Sequence, residues 1–317
     1  MLKLNVVNLK EITMDIKEIF YPNSFDKENV ASNDKHFLIN GDSLSELKKI
    51  KDNSIDLIFA DPPYNIGKNF ETNIDKWENI DSYVEWCKYW IDECMRVLKK
   101  NGTFYFMTAT QHMPFLDVYV SSKYHVISRI IWTYDSSGVQ SKKKFGSLYE
   151  PITMITHNKK SKYTFNSEDI KVETTTGAKR NLIDYRKNPP QPYSNTKIPG
   201  NVWEFSRVRY RMEEYENHPT QKPKKLLERI IKASSNKGDI VLDPFGGSFT
   251  TGEVCNGLDR NFVGIELNNN YFQIGIRRCE ISKTYNNVPL TKDKTRKTKN
   301  KSKKDHLQSK QVSLFDD

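Results

Sequence analysis

A chain of 317 residues with 36% hydrophobic and 12% aromatic residues has ample material for a core, which excludes a wholly disordered polypeptide. Its formal charge of +10 points to an acidic partner, but residues 286–317 hold nine Lys or Arg against four Asp, so half of the excess lies in that stretch and the rest is only moderately basic. No apolar run can span a membrane, Met1 to Lys10 lack the order of a leader, and Cys87, Cys94, Cys255 and Cys279 form no CxxC pair; the reading is a cytoplasmic protein with reduced buried thiols and no membrane partner, metal site or disulfide framework.

Residues 1–33 show no clear period and read as an appended arm. His36 to Asn40 is a short strand-like run closed by Gly41-Asp42, and Leu44 to Ile50 is helical in pattern. Ile55 to Ala60 has the composition of a strand buried on both faces, and it stops abruptly at Asp61-Pro62-Pro63-Tyr64. Asp81 can cap a helix reaching about Lys100, because Val84, Cys87, Ile91, Cys94 and Leu98 recur at spacings of three and four. Three more strands are predicted at Thr103 to Met107, Val126 to Trp132 and Pro151 to His157.

From about Asp135 to Asn217 the apolar period fades and Lys, Arg, Tyr, Asn and Pro accumulate, as in an inserted recognition lobe. Lys142, Lys143, Lys144, Arg180, Arg186, Arg207, Arg209 and Arg211 alternate there with Phe145, Tyr149, Tyr185, Trp203 and Tyr210, a mixture that can track phosphates and read bases. Asn188-Pro189-Pro190-Gln191 looks like a second catalytic turn, but no buried strand precedes it and its fourth residue is not aromatic, so it reads as a loop. Regular α/β patterning returns with a helix near Lys224 to Ser235 and a strand from Asp239 to Asp243. A glycine turn, Pro244-Phe245-Gly246-Gly247-Ser248, follows, and then a strand from Asn261 to Glu266.

Two strand ends far apart in sequence, at Asp61 and at Asp243, become neighbours if both strands lie in one parallel sheet, where ligands bind at the carboxyl ends. Gly246 and Gly247 let the backbone approach a cofactor, and Glu266, 23 positions after Asp243, stands where an acid accepts from ribose hydroxyls. The turn is neither GxGxxG nor a P-loop, so a nucleoside cofactor without phosphates is favoured. In Asp61-Pro62-Pro63-Tyr64 the prolines remove two N–H donors, leaving a carbonyl acceptor beside a carboxylate with an aromatic ring just beyond. Two acceptors and a stacking face suit an aromatic amine: holding both N–H groups makes the nitrogen more nucleophilic towards a methyl sulfonium. A base inside a duplex would have to be flipped out to reach them.

These motifs, in the order Asp61 to Tyr64, then a long lobe, then His218-Pro219-Thr220-Gln221-Lys222-Pro223, then Asp243 to Ser248, resemble the β-class amino-methyltransferases of DNA. The resemblance covers about residues 36–285 and extends into the lobe. It implies a Rossmann-like α/β fold with a mostly parallel sheet flanked by helices and a circularly permuted motif order. Residues 1–33 would form the arm, 34–134 the catalytic half, 135–217 the target-recognition lobe, 218–285 the cofactor half and 286–317 a basic disordered tail. S-adenosylmethionine is the implied cofactor and double-stranded DNA the implied partner, with a second copy of the chain and a cognate restriction endonuclease as further partners to test for. By the same resemblance, Asp61, Pro62, Pro63 and Tyr64 form the catalytic site, with Tyr64 stacked on the base. Asp243, Phe245, Gly246, Gly247 and Ser248 would hold the methionine side of the cofactor, Glu266 the ribose, Asp42 the adenine, and Thr220 and Lys222 would lie near the cofactor carboxylate. The resemblance, because it extends into the lobe, also implies adenine in a six-base palindrome of the ATGCAT type. Phe249 departs from the pattern, since many members have Gly there.

Methylation of the cytosine amino group uses the same acceptors and is the alternative within enzymes. A DNA-binding regulator on a silent fold is the alternative outside them. Attack through a ring carbon would need a nucleophilic Cys, and no cysteine here sits at a recognisable strand-end site.

Overall fold

The computed structural model describes residues 16–22, 24, 29–70, 75–136, 142–174 and 182–281. Most of the arm, Arg180 and the basic tail lie outside the described residues. In chain order the strands are β1 (Val30–Ser32), β2 (His36–Asn40), β3 (Ile55–Ala60), β4 (Leu98–Met107), β5 (His125–Thr133) and β6 (Tyr149–Thr156). The short β7 (Val172–Glu173), β8 (Ile183–Asp184), β9 (Gln191–Pro192), β10 (Thr196–Lys197) and β11 (Val202–Glu204) follow, then β12 (Ile240–Asp243) and β13 (Asn261–Glu266). The helices are α1 (Ser43–Leu47), α2 (Ile80–Val97), α3 (Met113–Lys123), α4 (Lys224–Ser234), α5 (Thr250–Gly257) and α6 (Asn269–Arg278).

One nine-stranded sheet, ordered β1-β2-β13-β12-β3-β4-β6-β5-β11, forms the centre. Strands β2, β13, β12, β3 and β4 run parallel; β6 reverses direction between β4 and β5, and β1 pairs antiparallel with β2. Parallel strands need crossovers that cover both faces, and the apolar side chains alternate accordingly. Ile58, Ala60, Ile240 and Leu242 pack with α1, α2 and α3 on one face. Leu57, Phe59, Val241 and Phe262 pack with α4, α5 and α6 on the other. All four cysteines are free and buried, and among the described residues no helix is long and apolar enough to cross a membrane.

Three sequence expectations need correction. The helix expected to be capped by Asp81 begins two residues earlier, because Asn79 caps it in a reciprocal capping box with Ser82. It ends at Val97: Leu98 continues the apolar spacing but opens β4, where it is fully buried. Part of the segment read as an appended arm belongs to the body, since Ile16, Ile19 and Phe20 are core residues and β1 extends the sheet edge. The loop expected at Asn188-Pro189 stands: the segment is exposed, with a cis Asn188–Pro189 peptide bond, and leads into β9.

Candidate active site

Four neighbouring parallel strands, β2, β13, β12 and β3, end on or just before Asp42, Glu266, Asp243 and Asp61, which places four carboxylates along one rim. Below them opens a cavity of ≈ 360 Å³, lined by these four, by Pro62 and Pro63, by Phe245, Gly246, Gly247 and Ser248, and by Thr220 and Lys222. Every cofactor residue expected from the sequence therefore faces a single space, and its volume falls in the ordinary range for small-ligand sites. Phe245 packs against Trp86 and Trp90, with ring centres 5.8 and 5.4 Å away, and gives the cavity an aromatic wall.

The carboxylates differ in employment. Asp42 caps α1, accepting from the Ser45 amide and hydroxyl at 3.0 Å. Asp243 accepts from Thr251 Oγ1 at 2.6 Å and from the Phe245 amide at 3.1 Å, so it ties β12 to the turn and to α5. Glu266 accepts one backbone N–H on each oxygen, from Gly247 and from Asn268, both at 2.7 Å. Burial pushes both Asp243 and Glu266 up to about 7. Gly247 has φ +52°, and a Cβ there would meet the His218 ring at 3.1 Å, so the glycine lets the turn and the His-Pro-Thr-Gln-Lys-Pro stretch approach each other. His218 itself is pushed down to about 3 by burial, with help from Lys222 and Arg278, and stays neutral.

Phe249 settles the path after the turn. It caps α5 in the left-handed region, φ 56°, with its side chain fully buried. The ring lies against Gly246, Gly264 of β13 and Gly275 of α6, where added Cβ atoms would clash with it. The packing of one ring across three glycines compensates a backbone conformation that costs an ordinary residue about 1 kcal/mol.

On the far side of Asp61 lies a second cavity of ≈ 260 Å³, lined by Tyr64, Trp132, Tyr134, Tyr149, Glu150 and Arg207 among others. Thr220 and Lys222 line both spaces. The wall between them is a hydrogen-bonded cluster. Lys222 Nζ is 2.5 Å from Asp61 Oδ2 and 3.6 Å from Glu150 Oε2. The Tyr64 hydroxyl donates to Asp61 Oδ1 at 2.5 Å and lies 3.1 Å from Glu150 Oε2. Burial raises the Asp61 carboxyl above the usual range, an effect that Lys222 partly offsets. Burial acts to lower Lys222, but Asp61 and Glu150 together raise it, so it remains an ammonium.

Lys222, expected beside the cofactor carboxylate, thus has its ammonium on Asp61. Tyr64, expected to stack on a base, turns its ring to the second cavity while its hydroxyl holds Asp61. Sequence reasoning missed three contributors. Glu150 is the acidic residue of β6. Asp75, 5% exposed, accepts from the backbone amides of Tyr64, Ile66 and Lys68 and fastens the segment beyond the prolines. Tyr83 of α2 donates to the Pro63 carbonyl at 3.0 Å. In the lobe, Trp203 proves to be a core residue, whereas Phe145, Tyr185 and Tyr210 are largely or wholly exposed, as are Lys142, Lys143, Lys144, Arg186, Arg209 and Arg211.

Comparison with known proteins follows the same outline. A family model described as DNA methylase matches residues 55–277. Over 275 residues, 87% of this chain and 93% of the relative, the sequence is 57% identical to the DNA adenine methyltransferase YhdJ of Escherichia coli K12. It is 37% identical over 251 residues to the type II methyltransferase M.HpaI of Haemophilus parainfluenzae, across 77% of this chain and 74% of that one. Among solved structures, the PvuII DNA methyltransferase (cytosine-N4-specific) superposes with a TM-score of 0.61 at 18% identity, covering 81% of this chain and 94% of that chain, which is a likeness of fold.

Proposed function

The chain belongs to the N6/N4 DNA methylase family, and from that premise we propose that it transfers a methyl group from S-adenosylmethionine to the N6 amino group of an adenine flipped out of double-stranded DNA. The observation that carries this reading is the Asp61 wall, set between a carboxylate-rimmed cavity and an aromatic one. The first cavity fits the cofactor by its donor set. Carboxylates suit ribose hydroxyls and the cationic ammonium and sulfonium, the Phe245 face suits an apolar contact, and a rim of acids would repel phosphates. When bound, S-adenosylmethionine supplies an electrophilic methyl group.

The chain's own residues do the rest. Glu266 would hold the ribose and Asp42 the far end of the nucleoside, while Gly246 to Ser248 leave room for the amino-acid side. Asp61, with the backbone carbonyl of the proline turn, would accept the two N–H groups of the base amine and direct its lone pair across the wall. Tyr64, Tyr134 and Tyr149 offer ring faces to the flipped base. The parts of residues 135–217 outside β6 and β11, which belong to the central sheet, serve as the target-recognition lobe, with exposed Lys and Arg on phosphates and Phe145, Tyr185 and Tyr210 near bases. The relative's name, an adenine methyltransferase, favours adenine over cytosine, and a palindrome of the ATGCAT type is the proposed target.

The test is transfer of labelled methyl from S-adenosylmethionine to duplex DNA. Asp61→Ala is expected to lower single-turnover transfer at least ~10²-fold, the scale of losing one key polar contact at a reacting centre, while DNA binding persists. No transfer by the wild-type protein to any DNA would refute the activity. Sequencing the modified bases in DNA from cells that express the protein decides adenine against cytosine, and the target sequence with it.

A further inference from the structure

Asp61 is the acceptor that the proposed reaction requires, yet both of its oxygens are engaged. Tyr64 donates to Oδ1 and Lys222 pairs with Oδ2, each at 2.5 Å. Each oxygen keeps a second lone pair, so the amine of a target base either shares Asp61 with an ammonium and a short phenolic bond or displaces one of them. Lys222 cannot turn to bulk water: its side chain is 7% exposed, and a buried ammonium without a partner is strongly disfavoured. Glu150, projecting from β6 at the position paired with Trp132 of β5, already lies 3.1 Å from the Tyr64 hydroxyl and 3.6 Å from Lys222 Nζ. Tyr134 and Arg207 are the other polar side chains of the second cavity that face this corner.

From this juxtaposition we infer that Glu150 is a positioning residue, the alternate acceptor to which Lys222 and the Tyr64 hydroxyl pass when the target amine takes Asp61. Two arrangements of one cluster follow. In the first, found here, each oxygen of the catalytic carboxylate already carries a donor. In the second, the lysine and the tyrosine lean on Glu150, and Asp61 is open to the base. Lys222 has a carboxylate partner in both, so the exchange never exposes an unpaired charge. The inference rests on the proposed methyl transfer.

Glu150→Gln separates this role from mere support, because the amide fills the same space and can accept from Tyr64 but cannot neutralise the ammonium. The variant is expected to bind S-adenosylmethionine within about twofold of wild type and to lose about tenfold or more in single-turnover methylation. Lys222 Nζ also donates to the Thr220 carbonyl at 3.2 Å, a neutral partner that leaves its charge unpaired; Lys222→Met in the Glu150→Gln background removes the ammonium that has no second carboxylate, and the double variant is expected to be faster than Glu150→Gln alone. Glu150→Asp, which keeps the charge, should fall between wild type and Glu150→Gln, and it serves as the reading should the amide variant not fold. Glu150→Gln within twofold of wild type, a double variant no faster than the single, or Glu150→Asp no better than Glu150→Gln would each overturn the role. Wild-type protein assayed alongside keeps the two questions apart: its failure to methylate refutes the activity, while its success with an indifferent Glu150 refutes only the exchange.

Discussion

Asp243, buried, and Glu266, half-buried, are acids whose protons are held to about pH 7. The folded protein therefore keeps protons that the unfolded chain, with ordinary carboxyls near 4, has already released; their contribution to stability falls as pH rises from about 4 to about 7 and is level above that. Binding runs the opposite way. Glu266 can accept from ribose hydroxyls on both oxygens only when ionised, and its ionised fraction grows about tenfold between pH 6 and pH 8. Affinity for S-adenosylmethionine by calorimetry should rise by up to about tenfold over that interval, with a flatter profile for Glu266→Gln. A wild-type affinity that is level or falling would contradict this. Asp61, Asp243 and Glu266 were legible as candidates because each ends a short apolar run, and a polar residue there has a reason to face a ligand. Glu150 was not legible: it lies 86 positions from Tyr64 in the sequence, and within Tyr149 to Thr156 nothing local distinguishes it from a strand residue facing water.

Among the elements, the turn from β12 into α5 puts an aromatic residue in a left-handed conformation. Phe249 holds a backbone shape that glycine adopts freely, and its ring fills a hollow made by Gly246, Gly264 and Gly275. Phe249→Ala should cost about 3–5 kcal/mol in urea unfolding, the usual loss for an emptied aromatic site. Phe249→Gly, which loses the same ring but relieves the left-handed strain, should be less destabilising by about 1 kcal/mol. Equal losses would mean that the conformation carries no strain. The strands β2, β3, β12 and β13 could be placed from sequence because parallel strands buried on both faces read as uninterrupted apolar runs. The end of α2 could not, since Leu98 satisfies helix spacing and strand burial equally, and only its place in β4 beside β3 decides.

At the scale of the whole molecule, the chain lays down β3 early and β12 late, and the sheet returns them to adjacency, which brings Asp61 and Asp243 to one rim. The basic stretch after residue 290 lies outside the described residues, and on its charge we propose it as a non-specific tether for DNA. Deleting Thr291 to Asp317 should weaken DNA binding at low ionic strength, flatten its salt dependence and leave methylation at saturating DNA unchanged, as filter binding across a salt series would show; an unaltered low-salt affinity would rule the tether out. The partition shared by the two cavities has a thermodynamic corollary. Because Thr220 and Lys222 belong to both chambers, whatever one ligand does to their placement alters the free energy of the other's arrival. The coupling is reciprocal: if the nucleoside eases entry of the extruded base by some factor, the base must tighten the nucleoside by that same factor.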